Sequence, residues 1–364
     1  MELMEKYARL LVDYCLEIRE GDRLLIRSST AAEPLVREVY RHATRAGAQV
    51  YTDLAFEGQG RILLEEAPDS VLDAEDRFHR QAMEEFEAYL AILAPHNLRE
   101  TAEVDQARAA RRQKASQAAQ ETYFRRIADR SLKRSLCQYP THAQAQESGM
   151  SLEAYTRFVY EACRLYDADP VASWLEVRAL QQGIVDRLHQ ASEIRYQGAN
   201  ADISFSTKGR TWINSDGRNN MPSGEVFTSP VEDSVQGWIR FSYPGLYQGH
   251  EVEGVTLHVK DGWIERWEAD RGMDFLNHIF SLEGTRRFGE AAIGTNDRIT
   301  RMSRNILFDE KIGGTVHMAI GQSYLQCGGQ NKSAVHWDMI TDMTADGRIY
   351  ADGVLIYENG RFLI

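Results

Sequence analysis

Apolar residues change their spacing once along this chain. Through residue 192 they recur mainly at helical intervals, interrupted by short solid runs; from residue 193 onward they alternate with period two. Residues 2–19 place Leu3, Tyr7, Leu10, Leu11, Tyr14 and Ile18 on one helical face, ended by Gly21-Asp22. Residues 23–27 predict a strand. Ser28-Ser29-Thr30 then caps a helix reaching about Ala46, and residues 49–53 predict a second strand. Strand, helix, strand at this spacing argues for a βαβ unit and a parallel sheet. The runs Tyr89–Ala94 and Ser135–Tyr139 predict further strands, and helices are expected from Ser151 and over 167–192.

Beyond that point, residues 193–197, 201–206 and 254–259 alternate as half-buried strands do. Lys260-Asp261-Gly262-Trp263, Ala345-Asp346-Gly347-Arg348 and Tyr357-Glu358-Asn359-Gly360-Arg361 read as turns between strands, and Met273–Leu282 as a helix. The expectation is two domains: an α/β domain with a parallel sheet at 1–192, and an α+β domain with a largely antiparallel sheet at 193–364. A chain of 364 residues is long for one core.

Charge narrows the partners. The sequence holds 42 Lys and Arg against 54 Asp and Glu, a net −12, which argues against nucleic acid or an anionic membrane as the main partner. Arg108, Arg111, Arg112 and Lys114 read as a solvated helix face. Cys15, Cys137, Cys163 and Cys327 lie far apart with no CxxC pair, and the N-terminus lacks the apolar segment of a signal peptide. The expectation is a cytoplasmic protein without a membrane span. No GxGxxG or GxxxxGK[ST] is present, so Ser28-Ser29-Thr30 reads as a helix cap and not as a phosphate site.

The candidate chemistry lies in Thr315–Asp338. His317 sits in one apolar run; His336 and Asp338 sit in another, two residues apart and therefore on one strand face. Imidazole beside carboxylate suits a divalent ion of the zinc, cobalt or manganese type. A lone histidine in an apolar strand is more often a hydrogen-bonded core residue, and one pair makes half a site. Glu225, between a Gly- and Pro-containing turn and Val226-Phe227, is either a partly buried ligand or a turn-exposed acid. Glu290 precedes a small, apolar run; buried, it needs a cation or donors, for which Arg286 or Arg287 offers the plain salt-bridge answer. Glu251 and Glu253 read as surface ion pairs.

The segments GRNNMPSGEVFTSP, RFGEAAIGTN, TVHMAIGQSY and SAVHWD, in this order, closely resemble the aminopeptidase T / aminopeptidase S family, also called the thermophilic metalloprotease family. The likeness extends to LAILAPHNLRE and YPTHAQAQESGMSLEAY. It implies two divalent metal ions held by Glu225, Glu290, His317, His336 and Asp338, with Tyr324 on the family's active-site tyrosine. It also implies removal of N-terminal residues from peptides, and a homodimer. Within such a site Tyr324 would donate to the oxyanion or orient water, and Glu225 or Glu290 would move the proton. The competing readings are a metal hydrolase of another amide and a catalytically silent metal-binding homodimer.

Overall fold

The computed structural model describes residues 2–363. Two compact units emerge: one comprises the chain through Ser173 together with Gly217–Pro222, the other Trp174–Asp216 and the chain from Ser223 onward. The change of period at 193 coincides with the first strand of the second unit, Glu193–Gly198, whereas the compact unit begins earlier, within the helix Pro170–His189. That helix joins the second unit because Ile184, Val185 and Leu188 pack into its core.

The first unit is built on a parallel sheet in the order Gln49–Ala55, Arg23–Ser29, Ala88–Leu93, Lys133–Gln138, Asn220–Met221. Leu24, Leu25, Ile26 and Leu90 are fully buried in it, as expected of strands covered on both faces. The first helix runs Glu2–Arg9 and widens into a π-helical stretch, Leu10–Cys15. The Ser29 hydroxyl accepts from the Ala31 N–H at 3.2 Å, so the serine does cap the turn that leads into helix Glu33–Arg45. Arg111 pairs with Asp69 and Asp73 on the surface.

The second unit packs two sheets face to face. An antiparallel eight-stranded sheet includes Glu193–Gly198, Ala201–Ser206, Gln236–Arg240, Thr256–Lys260 and Trp263–Glu268. The Asp261-Gly262 and Asn359-Gly360 turns close hairpins within it, while residues 343–347 carry the chain from one sheet to the other. The second sheet has the order His336–Asp342, Thr315–Gly321, Phe288–Gly294, Glu225–Thr228, Ile213–Ser215. Val226, Ala291, Ile293, Val316, Met318 and Trp337 point from it into the shared core, against Tyr196, Ile203, Phe205 and Leu257. By alternation, the residues flanking these along each strand lie on the opposite face, and that face carries the candidate site.

Candidate metal centre

Register places the site. Glu290 pairs with Ala319, and Ala319 with Asp338; His317 lies opposite Ala292; Gly321 lies opposite His336; and Gly294 lies opposite Glu225. Directly opposed residues share a face, so all five acids and imidazoles project from the same side of four adjacent strands. The residues between them, Ala292, Ala319, Gly294 and Gly321, are small, which leaves that face open to polar heads. A bulge at Gly289 shifts the register just before Glu290. A side chain there would meet the Gln322 carbonyl at 2.2 Å, so only glycine fits the bulge.

The heads converge. One ligand atom each of Glu290, His317 and Asp338 lies within 4.8 Å of the others. His317 Nε2 is 3.4 Å from Glu225 Oε2 and 3.9 Å from Glu290 Oε1. His336 Nε2 is 3.1 Å from Glu290 Oε2 and 3.5 Å from Asp338 Oδ1. The other ring nitrogen, Nδ1, donates to the Gln322 carbonyl at 2.8 Å, which fixes the ring and aims Nε2 inward. Arg286 and Arg287 do not supply the salt-bridge answer for Glu290. Arg286 donates to the Ile264 carbonyl and Arg287 to the Glu232 carbonyl. Glu251 and Glu253 pair with Arg304 and Arg271, as surface acids should.

Buried polar groups normally find hydrogen-bond partners. Among the described residues, both ring nitrogens of His317 and Asp338 Oδ1 are buried without a hydrogen bond, though His317 Nε2 and Asp338 Oδ1 each lie within 4 Å of a charged partner. Three carboxylates and two imidazoles around nitrogen and oxygen atoms without hydrogen bonds are a donor set that fits divalent cations. The electrostatics agree. Burial works against a charge on His317, but Glu290, Glu225 and Asp338 outweigh it and push its pKa up to about 9. His336 is likewise opposed by burial and pushed up to about 12 by Asp338 and Glu290. Burial raises Asp338, yet His336 holds it down to about 2. Burial pushes the Glu225 carboxyl up.

Tyr324 follows the end of the His317 strand. Its ring stands edge-on to His336 at 5.0 Å and beside Phe227 at 5.2 Å. Its N–H donates to Ser229 Oγ at 3.2 Å, and that hydroxyl donates to the Gly289 carbonyl at 2.7 Å. One serine thus ties the tyrosine loop to the Glu290 strand. The nearby Glu290 charge, burial and Asp338 push the phenol well above its ordinary pKa, so it stays a donor at neutral pH. The side of the residue facing outward leaves it 36% exposed.

Two neighbours were not anticipated. Lys311 is fully buried, with Nζ 3.7 Å from Glu225 Oε1 and paired with Glu310 Oε1. Burial pulls the lysine's pKa down, but Glu225 and Glu310 more than restore it; burial pushes Glu310 up to about 8. In the sequence, Asp309-Glu310-Lys311 looks like an exposed turn. The available signal was the apolar setting, Ile306-Leu307-Phe308 before it and Ile312 after. Gln181, also buried, donates to the Glu225 carbonyl at 3.2 Å and holds that strand in place.

A family profile described as thermophilic metalloprotease (M29) matches residues 1–362. Aminopeptidase 2 of Geobacillus stearothermophilus is 29% identical, across 94% of this chain and 93% of its own. Wild-type AmpT from Thermus thermophilus matches in structure with a TM-score of 0.84 at 23% identity, covering 100% of this chain and 99% of its own. A 2,5-dihydroxypyridine dioxygenase from Pseudomonas putida KT2440 reaches 0.60 at 13% identity, over 99% and 96%. At such identities a structural likeness speaks for the fold, and one fold hosts several chemistries. The profile match along nearly the whole chain is what decides the family: this chain belongs to the thermophilic metalloproteases (M29).

Proposed function

We propose that this protein is a metal-dependent aminopeptidase acting on peptides in the cytoplasm. Its site is proposed to be dinuclear, with Glu225, Glu290, His317, His336 and Asp338 as ligands. The observation that carries the proposal is the buried His317 ring, without a hydrogen bond among the described residues, set among Glu225, Glu290 and Asp338, and the aminopeptidase name of a relative similar along the chain supports it. When bound, zinc, cobalt or manganese ions supply the positive charge that makes water nucleophilic near neutral pH and polarises an amide carbonyl. The three carboxylates offset part of that charge, so net positive potential remains for an anionic nucleophile.

The chain's own groups do the remaining work. Tyr324 keeps its proton and donates a hydrogen bond to the carbonyl oxygen as negative charge develops there. Glu225 or Glu290 accepts the proton from water and passes it to the departing amine. Fixing His336 through Gln322 keeps its imidazole from turning away as charge shifts. The family resemblance also leads us to propose a homodimer, which sedimentation equilibrium checks.

The test uses protein stripped of metal and reloaded with zinc, cobalt or manganese, on aminoacyl-p-nitroanilides and their N-acetylated counterparts. Cleavage restored by metal, confined to free amines and lost in Glu290→Gln is the expected result. Turnover of acetylated substrates instead would favour a hydrolase of another amide, and metal binding without any turnover would favour a silent binding protein.

A further inference from the structure

Lys311 carries a charge with no exposure at all, and the mechanism above makes no use of it. A buried ammonium is costly unless paired, and this one faces two carboxylates, Glu310 and Glu225. The two oxygens of Glu225 are thereby divided. Oε1 lies 3.7 Å from Lys311 Nζ, whereas Oε2 lies 3.4 Å from His317 Nε2. The lysine's backbone is locked to the same strand end. The Asn296 N–H donates to the Lys311 carbonyl at 3.0 Å, Asn296 Nδ2 donates to the Ser223 carbonyl at 2.8 Å, and the Thr295 N–H donates to the Gly224 carbonyl at 2.8 Å. Gly224 has φ +114° and sits against Asn296, where a Cβ would lie 2.7 Å from that side chain. The ammonium and the carboxylate it faces are therefore held by one short network, not by a chance surface contact.

We infer that Lys311 is a positioning residue for Glu225: it claims Oε1 and leaves Oε2 alone to face the cation site. This rests on the proposed metal-binding reading. On this view Glu225 offers a single oxygen, and replacing the lysine by an apolar side chain frees the second oxygen to bind. Glu310 is the lysine's other partner and takes no direct part.

The experiment is the visible spectrum of the cobalt(II)-loaded protein for wild type, Lys311→Met and the double variant Glu310→Gln/Lys311→Met. The double variant replaces the ion pair with a neutral pair, so it reads the same question where the single change, which leaves two buried acids without their cation, prevents folding. The expected result is a weaker and shifted cobalt band in both variants, since an added oxygen ligand raises the coordination number. Glu310→Gln alone is expected to keep the wild-type band. If the variants melt at lower temperature but share the wild-type spectrum, Lys311 is a structural ion pair and the inference falls. A Glu310→Gln spectrum as altered as that of Lys311→Met would also overturn it, moving the role to the acid. Failure of the wild-type protein to take up cobalt overturns the metal reading itself, a separate outcome.

Discussion

The two units each bury a polar cluster, and the clusters are built on opposite plans. In the first unit Tyr7 donates to the Gln138 carbonyl at 3.1 Å and accepts from the Cys163 thiol at 3.7 Å. Burial pushes Tyr7 and Cys163 up and the neighbouring Cys137 up to about 12, so the group is neutral at pH 7. In the second unit the cluster joins three carboxyls, two imidazoles and the Lys311 ammonium, and His317 has no hydrogen bond among the described residues. Neutral groups that satisfy one another complete a core. Charged groups gathered with several acids around few hydrogen bonds are costly to bury, and on the proposed reading a cation would offset that cost.

Removing metal tests the contrast most severely. Chelation is expected to abolish hydrolysis and to speed amide exchange in the strands bearing Glu225, Glu290, His317 and His336. The parallel strands around Leu24–Ile26 should keep their protection. Equal loosening of both units, seen by hydrogen-exchange mass spectrometry, would erase the distinction.

Tyr324→Phe comes next. It preserves the ring against His336 and Phe227 and should lower kcat by about 10²–10³-fold with KM little changed, the usual loss of one oxyanion donor. Steady-state kinetics decide it, and an unchanged kcat removes the phenol from the chemistry.

A smaller effect follows from protons. Metal-free His317, pushed up to about 9 from 6.5, is protonated at pH 7, and a metal bound there as proposed would have to displace that proton. Affinity should therefore rise between pH 6 and 9, with proton release visible by calorimetry in two buffers. The sign for stability runs the other way. A raised imidazole contributes fully below its unfolded value of 6.5 and loses that contribution as pH climbs through about 9. Melting of the metal-free protein should fall across this window, and that of the loaded protein should not.

The least effect is expected in the closed cluster. Cys163→Ala should cost about 1 kcal/mol of stability and leave metal uptake unchanged, as denaturant titration and cobalt binding would show.

Much of this was legible in the sequence for reasons that are physical. His336 and Asp338 are two apart in an apolar run, and period two alone puts them on one face. The βαβ start was legible because Ser29 and Gly47 bracket a helix between two apolar runs. Glu225 and Glu290 were ambiguous from their own surroundings, since their partners lie on other strands and register is not written locally; the family resemblance supplied them. Lys311 was missed because charged residues in a turn are ordinarily solvated, and its burial depends on packing around Ile306–Asp309 that no local pattern encodes. The compact unit's start in helix Pro170–His189 was hidden for a similar reason: a helix announces its period but not which sheet it covers.

Four neighbouring strands carry the five candidate ligands, and the ladder between them holds the backbone at a spacing of roughly 4.8 Å. A hydrogen-bonded ladder resists changes of spacing, so fitting ions of different radius would fall to other parts of the site. Accommodation has to come from side-chain rotation, or from residues 322–335, which hold Tyr324 and the carbonyl that anchors His336. On the proposed ligand set, the strands would fix the number and kind of donors and this loop would be the part free to adjust to the ion. Exchanging that loop between relatives and comparing which metal restores activity would test this reading without touching a candidate ligand.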